Sequence, residues 1–478
     1  MSESVINRSR WLALVIVCLG NLMIVLDVTI VGVALPSIRE DLGFTESSLA
    51  WVANVYLLTF GGFLLLAGRL GDLYGHRRLF LTGIAVFTLA SLGCGLATSA
   101  AALITARAIQ GLGAAVVSAV ALSLVVTTFP EPAERAKAMG MFGFVAAGGG
   151  SIGVLLGGVM TDLLNWHWIF LVNVPIGGAV FVLSRLVLPG AADLAKERPD
   201  VAGAVIVTSS LTLAVFAVVN GNSVGWASAR TLGLLAAAGL LFAGFVVFET
   251  RATTPLVPLR LFRLRNLSIA NVVGVLWAAA MFAWFFLSAL YLQLVLGYRP
   301  LEVGLAFLPA NLIMAVLSVG LSARLVLRFG IRATLVTGLL LAGAGLAVFG
   351  RAPVDGGLVD VLPAMVLLGL GAGMAFNPLL LAAMKDVDPA EAGLASGIVN
   401  TSFMMGGALG LAVLASIAAA RTAASSEAPL AALTGGYHAA FLVGALFAFV
   451  AALLSAALPT GTTAPAEAET VKELEMAR

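Results

Sequence analysis

Charge is what this 478-residue chain has least of. Only 10% of its residues are Asp, Glu, Lys or Arg, against 61% hydrophobic, and 53 more are glycine. A soluble domain carries about 25% charged residues. The 24 acids and 26 bases cannot coat the roughly three soluble domains that the length would otherwise suggest. Composition therefore implies an integral membrane protein. Cys18 and Cys94 both lie in apolar runs, which excludes a disulfide framework or a zinc site. The scattered His76, His167 and His438 leave no metal centre, and no cofactor is expected. A net charge of +2 without a clustered basic face excludes nucleic acid as a partner. A glycine-rich Lys-Ser/Thr phosphate loop is missing too, which excludes an ATP-driven pump.

What the chain has is long apolar runs. A helix needs about 20 such residues to cross a bilayer. Fourteen segments between residues 11 and 457 qualify, the first at 11–36, the tenth at 302–323 and the eleventh at 333–350. None alternates in polarity as barrel strands do. The first run is too long for a cleavable signal and reads as an uncleaved anchor. With the N-terminus inside, 20 Lys and Arg fall in cytoplasmic segments and 5 in outer ones, with Arg107 within a span. That bias fits the positive-inside rule and puts both termini in the cytoplasm, in a multi-pass protein of the cell (inner or plasma) membrane.

Glycines recur at a nearly constant offset. Gly140, Gly149, Gly150 and Gly153 match Gly397, Gly406, Gly407 and Gly410, each 257 residues on. Gly111 and Gly113 match Gly369 and Gly371 at 258, and Gly75 and Arg77 match Gly330 and Arg332 at 255. Six spans need only about 180 residues, so two more must lie between the copies. The expected architecture is all-α: a six-helix bundle over 1–190, a linker with two inserted helices over 191–262, a second bundle over 263–457, and a disordered cytoplasmic tail over 458–478. Parallel repeats of this kind place a substrate site between the halves near mid-membrane.

Between the second and third spans runs Gly68-Arg69-Leu70-Gly71-Asp72-Leu73-Tyr74-Gly75-His76-Arg77-Arg78. It reads either as a tight turn that enforces topology or as a latch in which Asp72 pairs with loop arginines or a neighbouring helix terminus. The segment resembles the loop signature of the major facilitator superfamily. Leu26–Ile38 resembles the first-span signature of its fourteen-span drug:proton antiporters, Leu103–Ala115 the fourth-span motif with its arginine and glutamine, and Trp166–Gly177 a sixth-span motif. Gly149, Gly153, Gly157 and Gly158 resemble the antiporter motif, with Val154 in place of its usual proline. The resemblance implies a major facilitator fold that exports drugs in exchange for protons, and a conformational latch at Gly68, Asp72, Gly75, Arg77 and Arg78. Independently, Gly149, Gly153 and Gly157 lie four apart and make a smooth helix face for close packing.

Ionisable groups at mid-bilayer are costly, about 2.5–3.5 kcal/mol each on insertion scales. Among the acids only Asp27 lies well inside a span, and among the bases only Arg107. Asp27 is nine residues before Pro36 and Arg107 six residues into span 4, roughly 13 and 9 Å from the same side. Two readings stay open: a permanent ion pair locking spans 1 and 4, or a carboxyl that carries one proton per cycle. The second half has no deep charge, with Trp284 and Met365 at the matching positions. Asn54, Tyr56, Gln110, Trp284, Gln293, Asn311, Asn377, Asn400 and Met404 are the expected lining of a substrate cavity. Aromatic and methionine surface with a few amides suits bulky amphipathic ligands. The sequence thus points to a monomeric, non-enzymatic secondary transporter whose partners are a small hydrophobic or cationic substrate, protons and membrane lipids. The alternatives are export of an endogenous metabolite, lipid or siderophore, and a non-transporting membrane scaffold.

Overall fold

The computed structural model describes residues 3–129, 131–188, 200–252, 255–317, 321–388 and 391–458. Apolar side chains and internally paired backbone favour helix throughout, since hydrocarbon offers no partner for a free N–H or C=O. Fourteen helices of fifteen residues or more are described: α1 (Glu3–Leu42), α2 (Trp51–Tyr74), α3 (His76–Gly95), α4 (Ala100–Thr128), α5 (Pro132–Leu163), α6 (Asn173–Val187), α7 (Val201–Val224), α8 (Ala229–Arg251), α9 (Arg265–Leu294), α10 (Pro300–Val316), α11 (Ser322–Phe349), α12 (Leu358–Met384), α13 (Ala392–Ala423) and α14 (Pro429–Ser455). A one-turn helix, Trp168–Leu171, leads into α6. Among the described residues, twelve stretches are long and apolar enough to span a membrane, and shorter apolar stretches lie in α5 and α10. This is a multi-pass, all-helical protein.

Two helix ends differ from the sequence expectation. The first helix continues through Pro36 to Leu42 and stops only at Gly43. Gly330 (φ 85°, ψ 163°) divides Ser322–Phe349 into two helices: the eleventh span begins just after it, as expected, but the helix before it runs on to Phe329, past the expected end of the tenth span at 323. Gly330 thus does what Gly75 does between α2 and α3, where φ is 90°. The turn after α9 at Gly297 (φ 70°) likewise matches Gly43 (φ 68°) after α1. Glycine alone adopts such angles without strain, so these turns explain two glycine pairs 254 and 255 residues apart. Residues 189–199 and the tail beyond Leu458 lie outside the described residues.

Short connections make consecutive helices antiparallel. They define a near face, where α1 begins, and a far face, where it ends. Helix α1 packs on α4, α5 and α6, α2 on α4, and α3 on α4 and α6. The second set repeats this: α9 on α12, α13 and α14, α10 on α12, and α11 on α12 and α14. The recurring glycines sit at equivalent crossings. A Cβ at Gly111 would lie 2.6 Å from the Tyr56 carbonyl oxygen of α2, and one at Gly369 2.6 Å from that of Ala310 in α10. Gly113 meets the Phe87 backbone of α3, and Gly371 that of Ala342 in α11.

The two sets meet where α5 packs on α10, α2 on α13 and α1 on α9. Helix α7 lies against both α2 and α13, and α8 packs on α7. Asn222 of α7 donates to the Ser416 carbonyl of α13 (2.7 Å), fixing the inserted pair across the junction.

Candidate functional site

Asp27 and Arg107 are brought together. Arg107 Nη1 donates to Asp27 Oδ2 at 2.5 Å, with the two residues 1% and 0% exposed. Asp27 Oδ1 accepts from Gln110 Nε2 (2.7 Å) and, more distantly, from Asn173 Nδ2 of α6 (3.4 Å). Gln110 Oε1 accepts from Arg107 Nη1 (2.7 Å), and its Nε2 also donates to Ser91 Oγ of α3 (2.6 Å). Arg107 Nε donates to the Val52 carbonyl of α2 (3.0 Å). The guanidinium carbon sits 4.1 Å from the Tyr56 ring centroid and 5.6 Å from that of Phe170. One turn of α4 separates Arg107 from Gln110, so both reach the same carboxylate from one helix face. Five helices of the first set thereby converge on one acid.

Burying a carboxylate and a guanidinium is tolerable only when each is paired and hydrogen-bonded. The network satisfies both. Asp27 is fully enclosed in this conformation.

The glycines of α5 hold this site in place. Gly149 meets Leu22 and Val25, Gly153 meets Leu26 and Thr29, and Gly157 meets Ile30, all on α1 around Asp27. Gly158 faces the other way, and a Cβ there would lie 2.6 Å from the Pro300 carbonyl oxygen of α10. Gly304 on α10 receives the Val154 and Leu155 backbone of α5 in return. Beside this seam, Arg299 Nε and Nη2 donate to Asp162 Oδ1 (3.1 Å) and Oδ2 (2.8 Å). Gln293 Nε2 of α9 donates to the Val33 carbonyl of α1 (2.9 Å). The two sets are thus joined at the far face.

The expected cavity lining is dispersed. Gln110 and Tyr56 belong to the ion-pair network. Gln293 bridges α9 and α1. Trp284 is buried with its ring centroid 5.9 Å from that of Phe307. Asn54 and Asn311, 257 residues apart, are each buried with both amide atoms unpartnered. Asn400 donates to the Ser396 carbonyl of its own helix (3.1 Å), Asn377 is half-buried on α12, and Met404 packs over Gly61 of α2. A groove of about 450 Å³ opens on the outside of α2, α7 and α8, and Phe63, Thr208 and Phe216 line it. None of the expected cavity residues lines this groove.

The expected latch is described in part. Gly75 ends α2, Gly68 has open space around it, and Arg78 is exposed. Arg77 Nη2 donates to the Arg185 carbonyl at the end of α6 (2.5 Å). The side chain of Asp72 lies outside the described residues. Sequence reasoning missed Ser91 and Asn173. Asn173 falls within the Trp166–Gly177 stretch already singled out, so an amide in an apolar run was the available signal.

The Major Facilitator Superfamily model matches residues 17–411. The chain is 42% identical over 461 residues to the cephamycin export protein CmcT of Amycolatopsis lactamdurans, covering 94% of this chain and 92% of the relative. It is 38% identical over 456 residues to the puromycin resistance protein pur8 of Streptomyces alboniger, covering 94% and 90%. It is 37% identical over 425 residues to the multidrug resistance protein Stp of Mycobacterium tuberculosis, covering 88% and 78%. The human organic anion transporter MFSD10 (TETRAN) shares the fold with a TM-score of 0.63 at 18% identity, over 93% of this chain and 99% of that one. The chain belongs to the Major Facilitator Superfamily and is a membrane transport protein, not an enzyme.

Proposed function

We propose that this protein exports hydrophobic or amphipathic compounds across the cell membrane in exchange for protons, by alternating access between its two helix sets. On this reading all fourteen helices cross the bilayer, the near face lies in the cytoplasm, and the protein works as a monomer. The likeness to antibiotic export and resistance proteins supports the substrate class.

The observation that carries the proton-coupling reading is an internal comparison. Gly43 and Gly297 end α1 and α9 254 residues apart, so Asp27 falls opposite Met281 and not Trp284, while Arg107 and Gln110 fall opposite Met365 and Leu368; all three are apolar. The same helix crossing therefore closes with apolar side chains. Replacing a buried ion pair by packed hydrophobes is often neutral or stabilising, so a purely structural need does not account for the pair. Protonating Asp27 removes its charge and loosens the hold of Arg107 and Gln110. Far-face opening parts α9 from α1 at Val33, six residues or about 9 Å along the helix from Asp27. The acid then gains a route to outside water, and near-face opening returns its proton to the cytoplasm. The expected lining residues, the unpartnered Asn54 and Asn311 with Trp284 and Met404 among them, supply amide and aromatic surface for the substrate as the sets separate. The Gly68–Arg78 loop, with Asp72 and Arg77, holds the near face while it is closed.

Uptake of an externally added hydrophobic cationic dye into inverted membrane vesicles tests this reading. Arg107→Lys keeps the charge and is expected to retain more pH-gradient-driven transport than Arg107→Ala. Loss of activity in both alike favours guanidinium geometry over charge, and full activity in both contradicts the reading.

A further inference from the structure

A second pair of acids sits well away from Asp27, where the inserted helices meet the linker. Asp200 caps α7, its Oδ1 accepting from Gly203 N–H (2.8 Å). Glu249, one turn from the end of α8 and 4% exposed, accepts from Val257 N–H of the linker through Oε2 (3.1 Å). The other oxygen of each is buried and has no partner. Both point at the same place: a Cβ on Gly203 would lie 2.5 Å from Asp200 Oδ2 and 2.7 Å from Glu249 Oε1. Among the described residues no cation pairs with either. Arg260 of the linker is taken up by Glu391 at the start of α13, and Arg251 is exposed at the end of α8.

We propose that Asp200 and Glu249 form a carboxyl–carboxylate pair that binds one proton and fastens the inserted helices to the linker. Two ionised carboxylates this close repel, and one shared proton turns the contact into a charge-assisted hydrogen bond. The N-terminus of α7 and the Gly203 amide keep the negative charge on Asp200. Glu249 Oε1 therefore takes the proton from cytoplasmic water and donates it toward Asp200 Oδ2, while Oε2 goes on accepting from Val257. No bond other than the O–H forms. Gly203 leaves the room for this contact. Because α7 packs on both α2 and α13, the pair couples near-face pH to the seat of α7 across the junction. This gives the inserted helices a task separate from the proton carried by Asp27.

The test uses the full-length protein reconstituted in lipid. Infrared spectroscopy at neutral pH is expected to show a protonated-carboxyl C=O band that is lost in Glu249→Gln and kept in Asp27→Asn. Asp200→Asn, which puts an N–H donor where the proton was, is also expected to remove it and guards against a Glu249→Gln variant that fails to fold. Because the folded state holds a proton that the unfolded chain has released, stability falls as pH rises, the folding constant dropping up to about tenfold per pH unit. That slope should shrink in Glu249→Gln. A band untouched by both substitutions overturns the proposal. So does a stabilisation by sodium over choline chloride that disappears in Glu249→Gln, which would make the ligand a metal cation.

Discussion

Arg299 grips Asp162 with two nitrogens, one on each carboxylate oxygen, and so ties the start of α10 to the end of α5. The glycine seam of Gly158 and Gly304 lies directly below, where the two backbones touch. The pair and the seam act together, since neither helix can leave without breaking both. A partly exposed ion pair contributes about 1 kcal/mol, which is about a fivefold population shift. Arg299→Ala is therefore expected to move the conformational equilibrium toward far-face opening by that factor. Spin labels at exposed Leu163 and Leu305 would read this as a larger long-distance fraction. An unchanged distance distribution would show that the pair does not hold this face.

Close helix approach around Asp27 makes a graded prediction among glycines of one helix. A methyl at Gly157 would sit 2.6 Å from the Ile30 carbonyl oxygen, whereas at Gly150 the nearest atom is a Thr29 methyl at 3.8 Å. Overpacking costs about 1–3 kcal/mol. Gly157→Ala is expected to lower the thermal midpoint of the purified protein by several degrees, and Gly150→Ala to leave it nearly unchanged. Equal effects would argue against the seating of α5 on α1.

The apolar counterpart of the ion pair predicts a recovery experiment. Removing one partner of a buried pair strands the other charge and costs about 3–5 kcal/mol. Arg107→Met alone should therefore be strongly destabilising. Adding Asp27→Leu removes the stranded carboxylate and should restore most of the lost thermal stability, without restoring proton-driven transport. Failure of the double variant to recover stability would mean that the first set cannot pack as the second does.

Much of this was legible in the residues themselves. Asp27 and Arg107 stood out because charge is rare in apolar spans and has to find a partner there. The glycine offsets stood out because close crossings admit nothing larger. Ser91 and Asn173 did not, because small polar side chains are common in such helices and their partners lie on other helices. The course of α1 through Pro36 was hidden for a related reason. A proline or glycine marks a possible stop, but packing decides which one is used. Asp200 and Glu249 lie 49 residues apart in polar stretches, and only the fold brings their free oxygens over Gly203.

The central claim is that Asp27 couples transport to protons and does more than brace α1 against α4. Asp27→Asn in proteoliposomes, assayed both for uphill transport driven by a pH gradient and for substrate exchange without one, separates the two roles. The account predicts that uphill transport is lost while exchange persists, because the substrate path remains and only the proton carrier is gone. Full uphill transport in Asp27→Asn, or loss of both activities in a stably folded variant, would contradict it.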